Sequence, residues 1–188
     1  ALPIFTNSRG INAPTISEYV LSAMLNIVRK SFVFADRARQ KVWDAETTVD
    51  ELLGKTVGIF GLGMVGWEVA KRAKAFDMTV LGVDVFSGEV PFVDKCYPPE
   101  QRMEVLPQCD FVVLCMPLLP STQGMIDRNE LTVMKKTAWL INVGRGPLVV
   151  TDALVEAIDA NMLAGAVLDV FDTEPLPQKD VLWSRENI

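Results

Sequence analysis

The spacing of apolar residues changes near Gly54. Before it, in PTISEYVLSAMLNIVRKSFVFADRA, the residues Ile16, Val20, Ala23, Met24, Ile27 and Val28 recur in steps of three and four. That period predicts one long amphipathic helix. Thr15 and Glu18 have the S/T-x-x-E spacing of a capping box, so the helix is expected to begin there. Residues 44–54 read as a connecting segment. After Gly54 come five short apolar runs rich in Val, Ile and Leu: KTVGIF, MTVLGVD, DFVVLCM, AWLINV and AGAVLDV. Near-continuous apolarity suits strands covered on both faces, the situation in a parallel sheet. Helical patterns over residues 65–76, 99–106, 128–134 and 152–161 fall between them. Strand and helix alternate, which predicts an α/β fold with a doubly wound parallel sheet in three α/β/α layers. The closing ENI reads as the start of a sixth strand.

Composition narrows the function classes. The chain has 188 residues, 49% hydrophobic and 22% charged, with a net charge of −6. Such a chain has room for one domain of ordinary size and a real core. The acidic balance and the lack of a basic stripe argue against a nucleic-acid partner. No apolar run reaches the length of a membrane span, and no signal-peptide pattern opens the chain. Cys96, Cys109 and Cys115 lack metal-ligand spacing and there is no histidine, so no metal site is expected. Three unpaired thiols fit a reduced, cytoplasmic protein. The chain opens mid-phrase with ALPIFTN and without Met, as a fragment would.

GIFGLGMVGWEVA carries Gly61-x-Gly63-x-x-Gly66 between a predicted strand and a predicted helix. That context gives the motif its meaning. Gly61 permits a tight turn, Gly63 lets a pyrophosphate approach the backbone, and Gly66 lets helix and strand pack closely. The N–H groups of Met64 and Val65 then face the anion from the positive end of the helix. Asp84 ends the second strand 18 residues after Gly66, where a carboxylate accepts hydrogen bonds from ribose hydroxyls. It would repel a 2′-phosphate, and VFSGEVP supplies no Arg to hold one, so NAD is the expected cofactor.

Two later strand ends carry charge. AWLINV runs into Gly144-Arg145-Gly146, where flanking glycines give a permanently charged guanidinium room to fork onto a carboxylate. LDVFDTEPLP places Asp169, Asp172 and Glu174 just past another strand. By themselves these acids fit turn caps as well as chemistry.

Taken in order, SRGINAPTISEYVLSAML, GKTVGIFGLGMVG, VVLCMPLLPSTQGMI, LINVGRGPLV, LAGAVLDVFDTEPLP and the final LW give the chain a specific resemblance to the NAD-binding domain of the D-isomer-specific 2-hydroxyacid dehydrogenases. The resemblance covers nearly the whole chain and implies a Rossmann domain over residues 13–188, including the connecting helix. Residues 1–12 would be the tail of a substrate domain that is otherwise absent. The resemblance implies that Met116, Pro117 and Thr122 line the adenosine side, and that Val143 and Gly144 make backbone contacts near the nicotinamide. Asp169 resembles the acid that binds the carboxamide, and Arg145 the catalytic arginine that holds the substrate carboxylate. Glu174 resembles the glutamate that pairs with a catalytic histidine, expected in a segment just past Ile188. It also implies hydride transfer between NAD(H) and a 2-hydroxy or 2-oxo acid, and a homodimer. Asp172 is expected to face solvent. Three departures touch the fold or the cofactor: Phe76-Asp77 where FG is common, Cys115 where His is common, and the bulky Trp67. A second reading keeps the fold and NAD binding but makes the protein an NAD(H)-sensing, corepressor-like scaffold. A third, a methyltransferase, fits Arg145 and Glu174 poorly.

Overall fold

The structure, a computed structural model, describes residues 10–86 and 88–188. Most of the expected substrate-domain tail therefore lies outside the described residues. Among the described residues six parallel strands form one sheet: β1 (Thr56–Phe60), β2 (Thr79–Val83), β3 (Lys95–Tyr97), β4 (Phe111–Leu114), β5 (Trp139–Asn142) and β6 (Gly165–Leu168). Their order is β3-β2-β1-β4-β5-β6. The chain winds outward from β1 in one direction, then returns and winds outward in the other. The doubly wound α/β expectation holds.

The strands separate two cores by simple alternation. In β4, Phe111 and Val113 face one side, with Val57, Ile59 and Ile141. Val112 and Leu114 face the other, with Phe60 and Leu140. The first side is covered by α1 (Ala13–Val28) and α3 (Met64–Ala75) through Val20, Met24, Val69 and Ala73. The second is covered by α4 (Arg102–Val105), α5 (Arg128–Val133) and α6 (Thr151–Asp159) through Val105, Leu131, Leu154 and Ala157. Because both faces are covered, the strands lack polar alternation, as the sequence indicated.

Several expectations need correction. The long helix is two. It breaks at Lys30, which takes a left-handed φ of 53°, and α2 (Ser31–Arg39) follows. The apolar stripe continues in the sequence, but α2 buries none of its residues, so periodicity alone overran the break. The capping box at Thr15 is not formed. Asn12 is the N-cap, its side chain makes no capping bond, and Pro14 sits in its first turn, where its missing N–H is harmless. The buried stripe of α1 also turns slightly, through Ser17, Val20, Leu21, Met24 and Val28, leaving Ile16, Ala23 and Ile27 partly covered. β3 was missed because KCY is only three residues long. ENI forms no strand, although Ala166 N–H donates to the Asn187 carbonyl at 2.9 Å. Asp77 does take the left-handed turn expected of it, at φ 55°.

One close approach sets the geometry of the first crossover. A Cβ on Gly66 would overlap the Gly61 carbonyl oxygen. Gly66→Ala is therefore expected to destabilise the fold by about 1–3 kcal/mol through overpacking. Equal urea midpoints for the variant and the parent chain would refute that.

Candidate functional site

The carboxyl ends of β1, β2 and β4 enclose a cleft of about 390 Å³. Gly61, Gly63, Asp84, Met116, Pro117 and Thr122 all line it. Gly61 has φ 94°, and a Cβ there would lie 2.7 Å from the Met116 amide nitrogen. Only glycine accepts both conditions. The turn it makes brings β1 directly into α3. Gly63 is the N-cap of α3 and offers no side-chain acceptor. The space where its Cβ would lie is open to beyond 4 Å. Bare backbone N–H groups at the positive end of a 12-residue helix, beside open space, fit an anion such as a pyrophosphate. Met64 and Val65 occupy that first turn, and Met64 is half exposed.

Asp84 ties the two ends of the cleft together. Its carboxylate accepts from Leu62 N–H at 2.6 Å and from Phe86 N–H at 3.0 Å. A carboxylate has about four acceptor positions, so two remain for ribose hydroxyls. On the opposite wall, the Thr122 hydroxyl donates to the Pro117 carbonyl at 2.8 Å and accepts from Leu119 N–H at 2.8 Å. Thr122 thus shapes the 117–122 loop with its own hydroxyl. Cys115 also lines the cleft. Burial pushes its thiol up to about 12, so it stays neutral at ordinary pH.

The charged candidates sit on the next two loops. Arg145 follows β5 and is exposed; among the described residues its guanidinium bonds only the Gly144 carbonyl, at 2.7 Å. Gly146 is buried, and a Cβ on it would collide with the backbone of Phe171 and Asp172. The loops after β5 and β6 are therefore pressed together, backbone against backbone. On the second loop, Glu174 accepts from Phe171 N–H at 3.0 Å. Asp172 is exposed and accepts from the Thr151 hydroxyl at 3.3 Å. Asp169 has its carboxyl raised from its ordinary value, by partial burial first and by the Glu174 charge second. Its own charge, after burial, helps raise the Tyr19 phenol.

The structure thus divides the sequence candidates in two. Gly61, Gly63, Asp84, Met116, Pro117 and Thr122 share the cleft, with Met64, Val65 and Gly66 on the helix that opens from it. Val143, Gly144, Arg145, Asp169 and Glu174 belong to the adjoining loop pair. Motif reading missed Leu62 and Phe86, which act through backbone N–H groups, and Pro99 and Val90, which wall the cleft from the β3 side. It also missed Asn142, an amide only 1% exposed at the end of an apolar strand. Its polarity in AWLINV was a visible signal.

A doubly wound sheet with a glycine turn at its first crossover and a carboxylate ending its second strand defines a Rossmann dinucleotide-binding domain. Residues 21–188 match the family described as D-isomer specific 2-hydroxyacid dehydrogenase, NAD binding domain. The chain belongs to that family. It is 36% identical over 190 residues to a glyoxylate reductase of Thermofilum pendens, covering 97% of this chain and 56% of that protein. A phosphoglycerate dehydrogenase structure from Lactobacillus plantarum superposes with a TM-score of 0.89 at 35% identity, over 96% of this chain and 59% of that one. A D-isomer specific 2-hydroxyacid dehydrogenase from Xanthobacter autotrophicus in complex with NADPH and MES gives a TM-score of 0.87 at 29% identity, over 99% of this chain and 76% of that one. The chain thus spans little more than half the length of the first two.

Asp84→Ala removes a charged acceptor from two backbone N–H groups. Stability is expected to fall by about 2 kcal/mol. Urea denaturation monitored by circular dichroism measures it, and an unchanged midpoint would show that the carboxylate does not pin the loop.

Proposed function

We propose that this chain is the cofactor-binding half of a two-domain oxidoreductase that moves a hydride between NAD(H) and a 2-hydroxy or 2-oxo acid. One observation carries the reading. The glycine-and-Asp84 cleft continues, at the same edge of the sheet, into two interlocked loops bearing Arg145, Asp169 and Glu174. When bound, the nicotinamide supplies or takes the hydride. Met64 and Val65 offer N–H groups to the pyrophosphate, while Val143 and Gly144 offer backbone contacts beside the nicotinamide. Asp169 accepts from the carboxamide. Arg145 grips the substrate carboxylate and polarises the carbonyl. Glu174 orients and charges a histidine that protonates the carbonyl oxygen; an anionic neighbour favours imidazolium. The 188 residues include no histidine, so that group comes from outside them.

NAD is preferred over NADP. Asp84 lines the ribose side of the cleft, and residues 85–90 include no Lys or Arg, so a 2′-phosphate meets negative charge. The homodimer reading is supported by Phe32 and Trp43, 75% and 93% exposed in and just after α2. Among the described residues no helix is long and apolar enough to cross a membrane, and a cytoplasmic location fits the free cysteines.

The isolated chain is expected to bind NADH, seen as enhanced nicotinamide fluorescence, and to reduce no 2-oxo acid. Turnover by the isolated chain would overturn the division of labour. In the complete polypeptide, Arg145→Ala is expected to lower kcat/KM by about 10²-fold or more across a 2-oxo acid panel. No activity of the parent enzyme with any of the panel would overturn the proposal.

Cofactor binding is also expected to depend on pH. Only ionised Asp169 is a full acceptor, and its carboxyl is raised. NADH affinity therefore falls as pH drops through that raised value. Asp169→Asn keeps an oxygen acceptor and should flatten that part of the profile. Fluorescence titrations in which parent and variant profiles coincide would exclude the role.

A further inference from the structure

We infer that Asn142 is a positioning residue that sets the geometry of the Gly144–Arg145 turn. The inference rests on the reading of Arg145 as the residue that grips the substrate. Strand register puts Asn142 in a lateral row with Val83, Phe60, Leu114 and Leu168. These four are apolar, and the row ends at Tyr97 on the edge strand. A buried amide in such a row is unfavourable unless its hydrogen-bonding groups are satisfied. Here they are satisfied by the functional turn itself. The side-chain oxygen accepts from Gly144 N–H at 3.1 Å, and the side-chain NH₂ donates to the Arg145 carbonyl at 2.9 Å. The Asn142 backbone carbonyl accepts from Asp169 N–H at 3.0 Å.

One residue therefore holds the backbone on both sides of the site. Its side chain closes the turn that presents Arg145, and its main chain registers Asp169 against it. Two opposite bonds, one donated and one accepted, need a side chain with both a donor and an acceptor, which an amide supplies at any pH. Leucine would fill the space and leave a buried N–H and a carbonyl without partners. Aspartate would keep the acceptor and face the Arg145 carbonyl with a second oxygen. A displacement of about 1 Å in a group that orients substrate lowers rate by up to about 100-fold.

The test has two arms. In the 188-residue chain, amide hydrogen exchange read by NMR reports the turn directly. Asn142→Ala is expected to speed exchange at Gly144 by about 10-fold, the loss of one hydrogen bond, while Leu140 and Ile141 keep their protection. Unchanged exchange at Gly144 would overturn the inference, whether or not the enzyme proves to be a dehydrogenase. In the complete polypeptide, Asn142→Ala is expected to raise KM for the 2-oxo acid and lower kcat by about 10-fold or more, with NADH affinity within about threefold of the parent. Normal kinetics in a folded, active variant would also overturn it, leaving Asn142 a structural residue. Asn142→Asp adds a readout that loss of stability would not produce. Its protonated carboxyl can donate to Arg145 and accept from Gly144, as the amide does. Burial and the neighbouring Asp172 and Asp180 disfavour ionisation, whereas the Arg145 guanidinium favours it. Activity of this variant is therefore expected to recover as pH falls, relative to the parent. A constant ratio of variant to parent across pH would count against the inference.

Discussion

The contact between the Gly61 carbonyl and the Cα of Gly66 is the constraint on which the site depends. A parallel strand must hand over to a helix that lies back across the sheet. Any side chain at Gly66 would hold α3 away from β1. With hydrogen alone there, the helix descends onto the strand and its first turn arrives at the sheet's carboxyl edge. The same approach puts Gly61 against the Met116 backbone, so that β4 enters the site as well. A cofactor cleft is a consequence of this packing before any polar residue is considered.

Charge is then added sparingly and is tied to backbone. Asp84 is bonded to Leu62 and Phe86, Glu174 to Phe171, and Arg145 to Gly144. These are carboxylates and a guanidinium held by main-chain N–H and C=O groups, which fixes their direction without using a charged partner. Among the described residues Arg145 has no charged partner. The exception is Asp169, whose carboxyl is raised by partial burial first and by the Glu174 charge second.

The interlocked loops after β5 and β6 bring residues far apart in the chain side by side. Gly146 lets the first loop seat against Phe171, and Asn142 registers both loops from below. Elsewhere the molecule is less constrained. α2 buries nothing, and Phe32 and Trp43 are left on the surface. The carboxyl edge of the sheet is over-determined by short backbone contacts, and α2 is not.

The sequence by itself determined the sheet class, the glycine turn, Asp84 and the two charged loops. These depend on local rules: which residues tolerate an αL turn, which strands have no polar face, and where an anion meets a helix start. It did not determine the break at Lys30, because an apolar stripe continues regardless of whether anything packs against it. It hid β3, whose three residues gain their strand character only from pairing with β2. It gave no role to Asn142, since a polar residue ending a strand has meaning only when its partners two and three positions on are known to fold back over it. Tertiary structure decided these points because each depends on what lies opposite a residue in space, and residue order along the chain does not carry that information.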